Sequence, residues 1–145
     1  VYKRQLWTEP GVVSFQGETV HIDGCLFNPK PVQTPHPPVF FGGESRPALA
    51  RVARQGDGWY GYNLDAKSAA SHLSLLDEAL SEVGRTRDEI QCYVSPGRQN
   101  KLVPETLHAF RDLGFDQVIL PLFATSLDDL KRRSDRLLEI VERAA

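Results

Sequence analysis

The run Pro35–Tyr62 constrains this chain most, because a strand, a glycine turn, a helix and a second strand follow one another within 28 residues. Pro38-Val39-Phe40-Phe41 reads as a short apolar strand opened by proline, a residue tolerated at a strand's start but not in its middle. Gly42-Gly43 stops the run and admits positive φ, where a Cβ would clash. Ser45 is a good N-cap, and Pro47 falls in the first helical turn, where its missing N–H costs nothing. Ala48, Leu49, Val52 and Ala53 make an apolar stripe at helical spacing, and Gly56 ends the helix. Asp57-Gly58-Trp59-Tyr60 then opens the next strand.

A turn of this kind suits an anion. Glycine amides and the free N–H groups of a helix start converge, and the helix dipole adds partial positive charge. Ser45 can donate its hydroxyl to a phosphate, and Arg46 can bring a full charge. On the local pattern alone a plain tight turn with a cap is the favoured reading, since short glycine motifs recur by chance. It lacks the GxGxxG spacing of a dinucleotide fingerprint.

On either side the chain keeps one rhythm. Val12–Phe15 and Thr19–Ile22 alternate around Gln16-Gly17-Glu18 as a β-hairpin, and Asp23-Gly24 turns the chain away. Five prolines between Asn28 and Pro38 predict an extended, stiffened connector. After Tyr62 the spacing predicts a helix over Ala66–Val83 capped by Gly84, and a strand over Ile90–Ser95. A helix over Pro104–Leu113, a near-continuously apolar strand over Gln117–Leu122 and a final helix from Ser126 or Asp128 to Arg143 complete the pattern. We therefore divide the chain at 1–34, hairpin and connector, and 35–145, a (β/α)4 unit. Strand–helix alternation means an α/β fold with a parallel sheet, half of a (β/α)8 barrel. Four such strands leave an apolar inner face and two open edges, so association with a complementing half or a second copy is expected.

Composition narrows the function classes. A net charge of −2 gives no bulk attraction to nucleic acid or to an anionic membrane. No apolar run approaches the ~20 residues of a membrane span. Cys25 and Cys92 stand apart without metal-ligand spacing, which fits reduced thiols and a cytoplasmic setting. The chain opens on Val1 rather than Met, as a fragment or a processed product would.

Pro29-Lys30-Pro31-Val32-Gln33, Pro37-Pro38, Gly42-Gly43-Glu44-Ser45 and Gly56-Asp57-Gly58-Trp59, taken in that order, resemble the luciferase-like monooxygenase superfamily. The stretch 48–54, Gly84-Arg85 and Leu113–Ile119 fit the same pattern. The resemblance implies a TIM-barrel oxidoreductase that uses a flavin or the deazaflavin coenzyme F420, with FMN as the alternative. It implies that Gly42, Gly43 and Ser45 contact the cofactor phosphate, although phosphate sites in this fold usually follow later strands. Members are full barrels of about 300 residues, so this chain would supply only the C-terminal half.

In a barrel enzyme the working residues sit at the C-terminal ends of the strands, which here means Gly42–Arg46, Trp59–Asn63, Ser95–Arg98 and Leu122–Thr125. Trp59 and Tyr60 are candidates to flank a flavin-like ring, and alternation makes one of them core and the other mouth-facing. Arg98 is a candidate for an acidic cofactor tail, set against a solvated loop arginine. His21, His36 and the cluster Lys131-Arg132-Arg133 with Arg136 read as polar surface. No nucleophile–base pair, paired carboxylates or metal cluster stands out, and no general base is nominated. Two functions compete: hydride transfer between a (deaza)flavin and an organic small molecule, or a non-catalytic half-barrel that binds a phosphate-bearing ligand or assembles with a partner.

Overall fold

The computed structural model describes residues 2–97 and 101–145, which form two compact units, Val1–Pro38 and Val39–Ala145. In the first, helix α1 (Tyr2–Thr8) precedes strands β1 (Val12–Gln16) and β2 (His21–Leu26), which pair antiparallel. Sequence reading missed α1, which is short and has no charged cap signals at either end. The Tyr2 ring lies 5.5 Å from Phe15 and Lys30 Nζ donates to Leu6 O at 2.8 Å, so tertiary contacts hold this helix rather than propensity.

Asp23-Gly24 does not end the hairpin as expected. The register moves from Val13↔Cys25 to Phe15↔Ile22, three residues on β2 against two on β1. Asp23-Gly24 is therefore a bulge opposite Ser14, with Gly24 at φ +64° and its N–H donating to Ser14 Oγ at 3.1 Å. The proline-rich connector is a series of bends rather than one extended run, with cis bonds at Asn28–Pro29 and Thr34–Pro35.

The second unit alternates β3 (Phe40–Gly42), α2 (Arg46–Gln55), β4 (Gly58–Leu64), α3 (Ala66–Glu82), β5 (Gln91–Pro96), α4 (Pro104–Asp112), β6 (Gln117–Val118) and α5 (Leu127–Ala144). The sheet is parallel throughout, in the order β3-β4-β5-β6. Each helix forms for a local reason. Ser45 caps α2 and Gly56 closes it; Asp65 and Ser68 make a reciprocal capping box on α3; Ser126 caps α5. Leu49, Val52 and Ala53 of α2 meet Leu73, Leu76 and Leu80 of α3 in a core that takes Trp59, Cys92 and Val94 from the sheet. Each such large apolar side chain contributes roughly 1.5–3 kcal/mol on burial.

At the N-terminal end of the sheet two aspartates do one job. Asp57 Oδ2 accepts from Val39 N and Asp116 Oδ2 from Cys92 N, both at 2.7 Å, and each aspartate's own N–H returns a bond to the same residue's carbonyl. The Asp of Gly56-Asp57-Gly58-Trp59 is thus a strand clamp at the end away from a barrel's site. Arg85 adds a brace there, donating to Ala53 O and Gly56 O at 3.0 Å and so satisfying the last carbonyls of α2.

Two expectations change. The last strand is Gln117–Val118, not Gln117–Leu122: Ile119 N still donates to Val94 O at 2.8 Å, but the chain then leaves the sheet at Pro121, which has no N–H to pair. β6 is an edge, so Ile119, Leu122 and Phe123 are exposed rather than buried between strands. The inner face is not plainly apolar either. The registers Phe40↔Gly58↔Gln91, Gly42↔Tyr60↔Tyr93↔Gln117 and Tyr62↔Ser95 put four aromatic rings among glutamines, and none of these residues belongs to the core cluster. Phe40 and Tyr93 stack with centroids 4.4 Å apart.

Candidate functional site

The Gly42–Ser45 turn sits where β3 ends and α2 begins, at the C-terminal edge of the sheet. Its two glycines have different reasons to be there. Gly43 has φ +105°, and a Cβ on it would meet Ala48 Cβ at 2.9 Å, so the turn itself requires glycine. Gly42 has ordinary room, its nearest neighbour being Tyr60 O at 3.7 Å, and it is exposed. The fold does not need a glycine there; a ligand approaching the backbone would.

Ser45 is extended at φ −72°, ψ 151°, and its Oγ accepts from Ala48 N at a long 3.4 Å, which leaves the hydroxyl proton free to be offered outward. In the first turn of α2 Pro47 has no N–H and the Ala48 N–H goes to Ser45 Oγ, so a bound anion would meet the Arg46 N–H at the dipole's positive end. Arg46 is exposed and points to Glu78 of α3, Nη1 to Oε2 3.7 Å, rather than into the turn. That weak surface pair is readily exchanged for another anion.

Trp59 and Tyr60 divide as alternation requires. Trp59 is fully buried among Leu64, Phe115 and the helices, 6.0 Å from Phe115 and 6.5 Å from His72. It is not a wall of the site; it holds the turn from behind, its indole Nε1 donating to Gly43 O at 3.1 Å. Tyr60 takes the opposite face, half-buried, with Tyr62 beside it at 6.4 Å and nearer the C-terminal edge.

Glu44, Tyr62 and Asn63, which the sequence places at these strand ends without giving them a role, join the turn. Glu44 Oε1 accepts from Tyr62 N at 3.0 Å, tying the turn to the end of β4. Between Tyr62 and Leu64 the β4–β5 register slips by one residue, and Asn63 in the bulge takes φ 59°. A non-glycine residue held at positive φ in a bulge at a strand's C-terminal end is a device often found beside active sites. The strand-end rule marks the stretch Trp59–Asn63, and the period-2 placement of Tyr62 with Tyr60 puts both rings on one face. Arg98 lies outside the described residues. His21 Nδ1 bonds Gln16 Oε1 at 2.7 Å and His36 Nδ1 donates to Pro37 O at 2.8 Å, both within the first unit. Arg132 and Arg133 are bound to Asp129 at the start of α5, at 2.6 and 2.9 Å. Among the described residues no three His, Cys, Asp or Glu side chains converge as a metal site would need.

The architecture defines a class: four parallel βα units, half the complement of a (β/α)8 barrel, with an anion-ready turn at the C-terminal edge. The chain belongs to the luciferase-like monooxygenase family, whose profile matches residues 2–97. An FMNH2-dependent dimethylsulfone monooxygenase of Pseudomonas putida is 40% identical over 55 residues, 38% of this chain and 15% of that protein. Monooxygenase RslO1 from Streptomyces bottropensis superposes over 98% of this chain and 58% of its own, with a TM-score of 0.67 and 16% identity. The coenzyme F420 dependent tetrahydromethanopterin reductase from Methanopyrus kandleri gives a TM-score of 0.55 at 21% identity, over 63% of this chain and 26% of its own. An F420-dependent secondary alcohol dehydrogenase, solved with an F420-acetone adduct, gives 0.53 at 14%, over 94% and 50%. At these identities the structures speak to the fold, and the chain spans between 15% and 58% of the relatives it matches.

Proposed function

We propose that this chain carries the phosphate-binding part of a flavin- or F420-dependent oxidoreductase that transfers hydride between its cofactor and an organic small molecule. The observation that carries this reading is the turn itself. Gly43 is demanded by backbone geometry, whereas Gly42 is left open on the solvent side with no structural need for glycine. Together with the Ser45 hydroxyl and the start of α2 they make a cradle that a phosphate fits and a Cβ would fill. Gly42, Gly43 and Ser45 would hold the phosphate, Arg46 would add charge on leaving Glu78, and Tyr60 and Tyr62 would bound the ring side of the mouth. The cofactor, when bound, supplies the hydride chemistry, and the protein binds, orients and excludes water. Related proteins named for FMNH2 and for F420 support both cofactors.

Fluorescence titration of the chain with F420 and with FMN tests this. Saturable binding of one, abolished in Ser45→Glu with the circular dichroism unchanged, is expected. Equal affinity in the variant would sink the phosphate assignment. Binding without substrate-dependent oxidation of reduced cofactor would favour a ligand-binding module.

A second reading concerns assembly. Exposed Leu127, Leu130, Leu138 and Val141 form a stripe along α5, and cavities of about 290 and 330 Å3 flank that helix, one reaching Val118 and Leu120, the other Leu122 and Phe123. With β3 and β6 both edges, we propose that the sheet works inside a barrel completed by four further βα units, from an N-terminal half or a second copy. Light scattering on the purified chain should show a species heavier than 16.2 kDa, or a monomer that takes up a complementing half. A stable monomer that binds neither would refute it.

A further inference from the structure

β3 leaves the sheet at Gly42, yet β4 continues to Leu64. Two residues past the Gly42↔Tyr60 pair, the Tyr62 N–H faces the place where β3 would have continued. The chain has already turned there, because Gly43 is at φ +105°. The Glu44 side chain fills the gap: its Oε1 accepts from Tyr62 N at 3.0 Å, in place of the absent main-chain acceptor. One residue further, β4 breaks register with β5 at Asn63. The strand end that carries Tyr62 and Asn63 is therefore held by a side chain on one edge and loosened by a bulge on the other.

Glu44 is also a carboxylate inside a turn suited to anions, flanked by Gly43 and Ser45. A free carboxylate there would oppose a phosphate. Half-buried and engaged with an amide, it is turned toward β4. With the Trp59 indole on Gly43 O at 3.1 Å, the turn is fastened to β4 at two points, one from behind and one at the mouth.

We infer that Glu44 is a positioning residue: it locks the phosphate turn to the bulged end of β4, so that cofactor binding requires Tyr62 and Asn63 to be in place. This rests on the phosphate reading of the turn. The lock works through an accepted hydrogen bond, so an amide can replace the carboxylate, since its Oε1 accepts equally well. A methyl group cannot.

The test is fluorescence titration with FMN and F420 of the wild-type chain, Glu44→Gln, Glu44→Ala and Ser45→Glu, with amide hydrogen exchange at Tyr62 followed in parallel. Glu44→Ala is expected to weaken binding about tenfold or more, the scale on which losing one hydrogen bond to a charged group acts, and to speed exchange at Tyr62. Glu44→Gln is expected to bind within about threefold of wild type and to keep Tyr62 protected. Binding lost in Ser45→Glu but unchanged in Glu44→Ala would overturn this inference and leave the phosphate reading standing. Tighter binding by both Glu44 variants would mean that the residue acts only through its charge, and unchanged binding by both that it plays no part; either result overturns the inference. A folded wild-type chain that binds neither cofactor, or binding that survives Ser45→Glu, would remove both the phosphate reading and the lock built on it.

Discussion

Replacing each glycine of the turn by alanine separates what the fold needs from what a ligand needs. At Gly43 the substitution forces an L-residue to φ +105°, a strain of about 1–3 kcal/mol. Its Cβ would also lie 2.9 Å from Ala48 Cβ. Ala48 cannot retreat, because the Ser45 cap and the fully buried Leu49 fix the first turn of α2, and crowding of this kind costs about 1–3 kcal/mol. Reduced freedom of the unfolded chain offsets about 0.4–1 kcal/mol. Gly43→Ala should therefore destabilise by about 3 kcal/mol, a fall in Tm of roughly 10 °C for a chain of this size. At Gly42 the added Cβ meets only Tyr60 O at 3.7 Å, with no positive φ, and stability should move by less than about 1 kcal/mol. Thermal denaturation followed by circular dichroism measures both, and cofactor titration follows on the same samples. Gly42→Ala should keep its Tm and lose affinity; Gly43→Ala should lose both. Equal Tm values for the two variants would refute the division of roles, and unimpaired binding by Gly42→Ala would remove the ligand's claim on that position.

Other consequences follow from named contacts. Arg85→Met should cost about 2 kcal/mol in urea unfolding, because the carbonyls of Ala53 and Gly56 lose a charged donor; a change below about 0.5 kcal/mol would show that water replaces it. Burial pushes the Cys92 thiol up to about 11, so at pH 8 a disulfide reagent should label the half-buried Cys25 and spare Cys92 until the chain unfolds; prompt double labelling would contradict that. The Asp129 carboxyl is held below its ordinary value, chiefly by the Arg133 side chain, with the Thr125 amide and Arg132 assisting. A depressed folded-state value means that this stabilisation is complete above the ordinary carboxylate range and is lost as pH falls through and below it. Asp129→Asn should thus lower stability at pH 7, with the deficit shrinking as the pH is taken down below the ordinary carboxylate range; a deficit that stays constant would exclude the ionic origin.

How much of this was legible in the chain depends on the range of the forces involved. α2 could be read to within a residue because every signal is local: the Ser45 cap, Pro47 in the first turn, the stripe through Leu49 and Val52, and Gly56 at the end. The strand after it followed from the same punctuation. β6 was overread, because an apolar run reports an affinity for burial and not the presence of a neighbour. Pro121 and an unpaired edge end the strand after Val118. Gly24 was misread for a related reason: glycine marks positive φ, and a bulge inside β2 uses it as readily as a turn. The site was half visible. Gly43 and Ser45 carry their roles in their immediate neighbours, whereas Glu44 and Trp59 act across 18 and 16 residues, on Tyr62 and Gly43 respectively. No local pattern encodes such pairs. Gly56-Asp57-Gly58-Trp59, which carried much of the resemblance, clamps the far end of the sheet and sends only the Trp59 indole toward the turn.

The central claim is that a phosphate-bearing cofactor seats on the Gly42–Ser45 turn. Two-dimensional 15N–1H NMR of the labelled chain, titrated with FMN and with F420, addresses it directly. Saturable shifts are expected, concentrated at the amides of Gly42, Gly43, Glu44, Ser45 and Arg46, with Tyr62 following through Glu44. Shifts centred elsewhere, or a well-folded spectrum that neither cofactor changes, would contradict it.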